Sequence, residues 1–420
     1  MSQPLINITR KHAYIFAAFL VLYEFLTYIA NDMIMPGMIK VVESFHGEES
    51  AIATSLTAYV LGGASLQLFL GPVSDRYGRR PVMIFGAIVF CICTAFIACS
   101  NSIHQFLLAR FFEGMGLCFI CVVGYATLQE TFSEMDAVRL IAIMANVSIL
   151  APLLGPLFGA TFIHYFSWRY IFVIIAILSL VALWGLWRFM PETVGQRLKN
   201  GGQIKQVPLS ITVVVGNYKK LLLNRPVMLG SLGLGLLGVP CLAWIALSPV
   251  ILVSDAKLTL IQYGLWQLPV FGAAILGNIV LHGLTHRLSL KKLIFMGSMI
   301  ACCSLISMYL LTSWMDGHYL GLMPGLILYF FGYGLVGAPL NRFILFATPV
   351  GKGTTSAVIS LTVMCLGGEG IELANHLYAT HNNTAFGLFA AFIGLLYFIL
   401  LGLVIAKEKP ATHLNELSSS

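Results

Sequence analysis

Long apolar runs separated by short polar segments make up the chain from one end to the other. A run of about 18 apolar residues or more can cross a hydrocarbon core of about 30 Å as a helix. Strands of a membrane barrel would instead be segments of about ten residues that alternate in polarity, whereas these runs are apolar on all sides. The pattern predicts twelve membrane-spanning helices, at residues 13–35, 51–69, 81–99, 103–127, 138–163, 168–190, 226–253, 261–282, 293–314, 319–348, 354–379 and 384–406.

The longest polar stretch, residues 191–225, lies between the sixth and the seventh predicted span. It predicts a cytoplasmic linker with a short interfacial helix, which joins an N-terminal bundle at 1–190 to a C-terminal bundle at 226–420. Both halves carry a basic loop between their second and third spans, GPVSDRYGRR at 71–80 and GLTHRLSLKK at 283–292. The predicted fold class is therefore an all-α membrane protein of two pseudo-symmetric six-helix bundles, an arrangement that suits alternating access to a central site.

Composition agrees with a membrane protein, because 58% of the residues are hydrophobic and only 10% are charged. Lys40, Arg169 and Lys257 lie in loops on one side, and Arg110 and Arg342 lie within predicted helices. The other 19 of the 24 Lys and Arg residues lie on the opposite side. By the positive-inside rule the opposite side is cytoplasmic and contains both termini. The formal charge of +7 is spread over many short loops, so it does not predict a nucleic-acid partner.

Two carboxyl groups, Glu24 and Asp32, interrupt the first apolar run. At about 100° per residue they share one face of a helix with Tyr28, Asn31 and Met35, and the two acids lie about 12 Å apart along the axis. Intramembrane acids are costly and are functional by default. The alternative interpretation is that both are structural and pair with basic residues elsewhere in the bundle.

Several motifs resemble those of a known family. GPVSDRYGRRPVM at 71–83 resembles the loop signature of the major facilitator superfamily, and LLARFFEGMG at 107–116 resembles its fourth-helix motif. ILAPLLGPLFGA at 149–160 is similar to the fifth-helix motif of drug antiporters, with Ala151 and Ala160 in place of two glycines. Three further stretches resemble a group of bacterial multidrug transporters in that superfamily, namely YEFLTYIANDMIMPG at 23–37, GYATLQETF at 124–132 and AWIALSPVIL at 243–252. The chain is identified as a member of the drug:proton antiporters with twelve helices.

The resemblance implies roles for individual residues. It assigns proton coupling and cation recognition to Glu24, Asp32 and Arg110, and substrate binding to Asn31. It also implies a gating motif of Asp75, Arg76, Gly78, Arg79 and Arg80, which lies in a cytoplasmic loop and should not bind substrate. The implied antiporter motif is Gly155, Pro156 and Gly159. Its small residues and proline are expected to allow close packing against the opposite bundle and a bend that seals the outer side.

Other residues are candidates for the site. Glu113 stands where the family's fourth-helix motif usually has Gln, and it either forms a local ion pair with Arg110 or titrates as an additional acid. Glu369 and Glu372 present a similar choice and are interpreted as auxiliary or structural acids. Bulky substrates need an adaptable aromatic and thioether lining, and the candidates for it are Tyr28, Met144, Trp244, Tyr263 and Trp266.

The function that the resemblance implies is proton-coupled efflux of lipophilic cationic and neutral drugs by alternating access. Loss of water disfavours the charged form of a carboxyl group, so one site can hold a proton and release it when a cationic drug arrives. The alternative is a superfamily exporter dedicated to one metabolite class. We expect no enzymatic activity, no cofactor and no metal, with protons as the coupling ion. The expected setting is a monomer among the lipids of the bacterial inner membrane.

Overall fold

Helices form the protein in the computed structural model, which describes residues 4–197, 199, 204, 211–285, 287–348, 350 and 352–406. The helices of the N-terminal half are α1 (Arg10–Asp32), α2 (Met38–Ser44), α3 (Ala51–Ser65), α4 (Gln67–Tyr77), α5 (Arg79–Ala98), α6 (Ile103–Phe119), α7 (Tyr125–Thr131), α8 (Glu134–Tyr165) and α9 (Arg169–Phe189). The helices that follow are α10 (Ile211–Leu222), α11 (Arg225–Pro249), α12 (Leu260–Leu284), α13 (Leu290–Trp314), α14 (Leu322–Leu345), α15 (Lys352–Tyr378) and α16 (Asn383–Ala406).

Eleven segments of the described chain are long and apolar enough to cross a membrane. A twelfth span results when α3 and α4, which meet at a bend of 41°, are counted as one. The prediction of twelve spanning helices is thereby confirmed. We call the end of the bundle that contains residue 10 and residue 406 the proximal end, and the opposite end the distal end.

Helix starts and interruptions follow from local sequence. The Thr259 hydroxyl accepts from the backbone N–H of Gln262, and together they form a capping box at the start of α12. Gly78, with φ of +106°, separates α4 from α5. Four predicted spans contain turns of other helix types: 3₁₀ turns at Met35–Gly37 and Tyr319–Gly321, and π-helical turns at Ile120–Gly124 and Val250–Asp255.

The same pattern of helix packing occurs in both halves. In the first half α1 packs on α8 and α9, α5 packs on α6 and α9, and α3 packs on α6. The corresponding contacts of the second half join α11 to α15 and α16, α13 to α14 and α16, and α12 to α14. The halves meet where α3 and α4 contact α15 and where α8 contacts α12. Two pseudo-symmetric bundles therefore enclose a central interface.

The described part of the polar stretch between the halves includes the helix α10, whose Tyr218 hydroxyl donates to the carbonyl of Leu68 at 2.8 Å. Part of this stretch lies outside the described residues, as do residues 1–3 and 407–420. The predicted boundaries of the two bundles and of the linker, 1–190, 191–225 and 226–420, stay predictions.

Candidate functional site

The polar face of α1 is buried inside the N-terminal half. The helix is continuous from Arg10 to Asp32. Glu24 is 0% exposed, Asn31 and Asp32 are also buried, and Tyr28 is half-buried. A continuous helix places the two acids about 12 Å apart along its axis, as the sequence pattern indicates. Met35 lies beyond the helix, in the 3₁₀ turn.

Glu24 interacts with one side chain of the fourth span. The hydroxyl of Tyr125 donates to Glu24 Oε1 at 2.8 Å, and Glu24 Oε2 has no hydrogen-bond partner within the described chain. Tyr125 is the first residue of α7 and directly follows the π-helical turn at Ile120–Gly124. Sequence reasoning missed Tyr125, although it lies within the stretch GYATLQETF that carried part of the family resemblance.

Asp32 is connected to the buried arginine through an amide. The guanidinium of Arg110 donates to Asn31 Oδ1 at 2.5 Å, and Asn31 Nδ2 donates to Asp32 Oδ1 at 3.1 Å. Because a guanidinium only donates, it faces the oxygen of the amide and leaves the NH₂ group for the carboxylate. Asn31 therefore couples Asp32 to Arg110 without direct contact between the two charges.

Arg110 has its own counter-ion. Glu113 Oε2 lies 2.6 Å from Arg110 Nη1, with both side chains 0% exposed, and the hydroxyl of Thr94 donates to Glu113 Oε1 at 2.9 Å. The guanidinium carbon also lies 4.5 Å from the ring centroid of Tyr59. The structure contains the local ion pair of the first interpretation of Glu113, and its titration as an additional acid stays a prediction. Because Glu113 offsets the charge of Arg110, Asp32 is not needed as its counter-ion.

A small cavity at the interface of the halves lies beside Asp32. It is lined by Asp32, Met35, Pro152, Pro156, Ile245, Ser248, Tyr263, Gln267 and Phe271. Two helices of the second half, α11 and α12, thus complete a site whose acid comes from the first half. Within this wall the indole Nε1 of Trp244 donates to Gln267 Oε1 at 3.0 Å, and the hydroxyls of Ser248 and Tyr263 lie 3.2 Å apart.

The predicted lining residues occupy different positions relative to this cavity. Tyr263 contributes to its wall, and Trp244 is fully buried behind Gln267. Met144 is fully buried on α8, and Trp266 is half-buried with its ring centroid 6.4 Å from that of Tyr319. Sequence reasoning missed Gln267, since a lone glutamine in an apolar run does not reveal which neighbour it faces.

A model of the Major Facilitator Superfamily matches residues 20–369. The chain belongs to this superfamily. It is similar to the multidrug transporter MdfA of Yersinia pestis (strain Angola), with 44% identity over 401 residues that cover 96% of each chain. It is also similar to the multidrug transporter MdfA of Escherichia coli O6:H1 (strain CFT073), with 41% identity over 409 residues that cover 97% of each chain.

Solved structures of the superfamily fold agree with the helix arrangement. A bacterial homologue of the human lysosomal transporter Spinster, in its inward-facing and unoccupied conformation, aligns with a TM-score of 0.67 and 15% identity over 95% of this chain and 96% of that one. The human organic anion transporter MFSD10 (TETRAN) aligns with a TM-score of 0.65 and 18% identity over 93% of this chain and 99% of that one. At these identities the likeness confirms the fold: a multi-pass membrane protein with the architecture of superfamily transporters.

The superfamily's loop motif forms a charged cluster at the proximal end. Arg79 Nη2 lies 2.7 Å from Asp75 Oδ1 and 2.9 Å from Glu130 Oε1. The backbone N–H groups of Arg79 and Arg80 donate to the carboxylate of Glu192, at 2.9 Å and 3.2 Å. The cluster links α4 and α5 to α7 and to the segment after α9, so it ties together the proximal ends of four spans.

Gly78 lies at the turn between α4 and α5, where it brings the backbone close to Glu192. Its φ of +106° disfavours a side chain, and a Cβ there would lie 2.5 Å from Glu192 Oε2. Glu130 and Glu192 are functional candidates that sequence reasoning missed, because they join the motif only through the tertiary fold. Arg76, also part of the motif, is exposed on the last turn of α4.

The predicted packing of the antiporter motif against the opposite bundle is wrong for its two glycines. A Cβ at Gly155 would lie 2.8 Å from Asp32 Cβ, and Gly159 faces the backbone of Met33. Both glycines therefore allow α8 to approach the end of α1 within the same half. The residues between them do reach the second half, since Pro156 lines the interface cavity and Leu157 contacts Gly264.

The two acids of the eleventh span differ in environment. Glu369 is exposed on the surface of α15. Glu372 is half-buried, its Oε1 has no hydrogen-bond partner within the described chain, and it lines a groove at the distal end together with Glu48, Glu49 and His376. The structure does not bring either acid into the cavity at Asp32.

Proposed function

We propose that this superfamily member exports drugs of several chemical classes from the cell in exchange for protons. The observation that carries the proposal is a pair of buried carboxyl groups, Glu24 and Asp32, neither of which forms a direct ion pair within the described residues. The full-length similarity to multidrug transporters supports the same assignment. Small molecules are the expected substrates.

Burial gives these carboxyl groups two alternative ways to be neutralised. A carboxylate enclosed by protein loses its hydration, so it is stabilised either by a proton or by a cation in contact. Glu24 has one oxygen bound by Tyr125 and one buried oxygen without a hydrogen-bond partner in the described chain. A cationic drug that reaches this oxygen when the bundle opens would compete with the proton, and this competition is the proposed exchange step.

Coupling to conformation is assigned to the chain Arg110, Asn31 and Asp32. A ligand shifts a conformational equilibrium only if it interacts differently with the two states. Movement of α1 relative to α6 would make or break the amide link between Arg110 and Asp32, and that link favours the charged carboxylate. Protonation of Asp32 and movement of α1 are therefore linked in this proposal.

The membrane and its orientation are part of the proposal. Basic residues concentrate in the proximal segments, so the positive-inside rule makes the proximal end cytoplasmic. Both termini then lie on the cytoplasmic side of the bacterial inner membrane. We propose a monomer surrounded by lipid, which uses protons as its coupling ion, needs no cofactor or metal and performs no enzymatic reaction.

The driving force depends on the number of protons exchanged. One proton for one monovalent cation moves no net charge, so the pH gradient alone drives export, at about 1.4 kcal/mol per pH unit. A second proton adds the membrane potential, which contributes about 2.3 kcal/mol per 100 mV.

Transport into inside-out membrane vesicles tests the proposal. The panel contains lipophilic cations and neutral drugs, each measured with and without an imposed pH gradient and compared with vesicles that lack the protein. We expect gradient-dependent uptake of compounds from both groups. Uptake restricted to one compound class would instead favour an exporter dedicated to a single metabolite class, and uptake independent of the gradient would contradict proton coupling.

A further inference from the structure

Gln267 has an unused hydrogen-bond donor in the wall of the interface cavity. The side chain is 1% exposed, it lines the cavity with Asp32 and Tyr263, and its Nε2 has no hydrogen-bond partner within the described chain. Buried polar groups are nearly always paired in folded proteins. A buried amide that faces a cavity without a partner is therefore a place where a ligand can complete the pairing.

The orientation of this amide is fixed by its neighbour. The indole nitrogen of Trp244 only donates, and it lies 3.0 Å from Gln267 Oε1. If the amide turned over, two donors would face each other, so the oxygen must point to Trp244 and the NH₂ group must point away from it. Trp244 is itself 0% exposed and cannot easily move aside. The donor is consequently held in position before any ligand arrives.

We propose that Gln267 is an acceptor-recognising subsite, which donates from Nε2 to a carbonyl, ether or hydroxyl oxygen of a drug whose other end lies near Asp32. The subsite rests on the proposed function and specifies part of its substrate class. Asp32 belongs to the first half and Gln267 to the second, so a drug that engages both bridges the two bundles. A drug that contacts both groups therefore favours conformations in which Asp32 and Gln267 line one wider cavity.

The subsite distinguishes drugs by their oxygen atoms and not by their charge. A lipophilic cation without a hydrogen-bond acceptor binds through apolar contacts and through the acids of α1, so it forms no hydrogen bond with Gln267. A cation of the same shape with a carbonyl group gains one hydrogen bond. One such bond to a neutral donor corresponds to about five- to ten-fold in affinity.

Two matched ligands test the subsite. Binding of tetraphenylphosphonium, and of its analogue with an acetyl group on one ring, is measured on purified full-length protein in detergent. In Gln267→Leu we expect the acetyl analogue to bind about five- to ten-fold more weakly, while tetraphenylphosphonium binds within about two-fold of its wild-type affinity. Retained binding of tetraphenylphosphonium also shows that the variant is folded.

A second variant tests the role of Trp244. Trp244→Phe removes the indole donor but keeps an aromatic ring, so the amide of Gln267 is free to turn. We expect a partial loss of affinity for the acetyl analogue and a smaller effect on tetraphenylphosphonium. An equal loss for both ligands in Gln267→Leu, or no loss for either, would overturn the subsite. Wild-type protein that binds neither cation would contradict the proposed function itself, which separates the two failures.

Discussion

At the scale of single residues, the two buried charged side chains of α6, Arg110 and Glu113, form an ion pair with each other. Arg110 and Glu113 are both fully buried, and the pair is completed by Thr94 and by the ring of Tyr59. Such a pair adds little to stability compared with an apolar replacement of both residues, but removal of one partner leaves the other charge buried and uncompensated. The pair therefore predicts an asymmetric response to substitution.

We expect Glu113→Leu to lower the free energy of unfolding by about 3–5 kcal/mol, because Arg110 then lacks its counter-ion. Glu113→Gln should cost less, since its amide oxygen still accepts from Arg110. Chemical unfolding of each purified variant in detergent measures its free energy of unfolding. Equal stability of the Leu and the Gln variants would contradict the role of Glu113 as the counter-ion.

The sequence predicted the acids of this site better than their partners. Glu24, Asn31 and Asp32 share one helix, so the 3.6-residue period placed them on one face without knowledge of the fold. Tyr125 and Gln267 lie on other helices, and the rotation of those helices is set by packing and not by local sequence. The charge of Glu113 was visible in the sequence, and only the structure shows its contact with Arg110.

At the scale of elements, the turn between α4 and α5 is built from charges that do not reach the interface cavity. Asp75 contacts Arg79, and Arg79 also contacts Glu130. Because α4 also contacts α15 of the second half, we expect movement between the halves to change these contacts and drug binding at Asp32 to leave them intact. The cluster is therefore a candidate for control of the transport rate.

Asp75→Asn should slow transport several-fold and leave drug affinity in detergent nearly unchanged, because it weakens the ion pair with Arg79 and leaves the cavity intact. The two measurements are transport in proteoliposomes and equilibrium binding. Asp316→Asn, in the segment between α13 and α14, is the matched control. Loss of affinity in parallel with loss of transport would count against a purely conformational role.

The glycines of α8 set the distance between that helix and the end of α1. We expect Gly155→Leu to push α8 away from Asp32, because even a Cβ there lies 2.8 Å from Asp32 Cβ. Proteoliposomes should then show impaired antiport or a proton leak. Gly272→Leu on α12 is the control, since a Cβ at Gly272 has no atom within 4 Å. Full drug transport tightly coupled to proton transport in Gly155→Leu would show that the close approach of α8 to α1 is dispensable.

The elements themselves were largely predictable, whereas their irregularities were not. Runs of apolar residues were sufficient to place the spans. Tertiary packing determines the bend between α3 and α4 and the π-helical turn before Tyr125. The pattern of apolar residues does not predict either feature. The small residues of ILAPLLGPLFGA indicated close packing, but the partner helix of Gly155 and Gly159 is a property of the tertiary fold.

At the scale of the whole molecule, side chains join the two halves at the distal end. His381 Nδ1 lies 2.8 Å from Asp255 Oδ1 in its own half, and His381 Nε2 lies 3.6 Å from Glu49 Oε2 in the other half. Asn375 Nδ2 donates to the carbonyl of Ser50, also across the interface, at 3.2 Å. These contacts hold the distal side closed.

We expect His381→Ala to favour opening of the distal side, since it removes the bridge between Asp255 and Glu49. Leu247, 1% exposed in the wall of the distal groove, is the reporter position. Leu247→Cys should react faster with a membrane-impermeant maleimide when His381→Ala is also present, as measured by mass spectrometry of the modified peptide. His318→Ala, at the same end, is the control. An unchanged labelling rate would show that the bridge does not hold the halves together.

The central claim is that a cationic drug and a proton compete for Glu24 and Asp32. Purified wild-type protein in weak buffer should therefore release protons when a lipophilic cation is added. Release should be reduced in Glu24→Gln and abolished in the double variant Glu24→Gln with Asp32→Asn, because both carboxyl groups are then lost. The measurement is the pH change on addition of the cation to each protein. Undiminished proton release from the double variant would contradict the claim and direct attention to Glu113, Glu369 and Glu372.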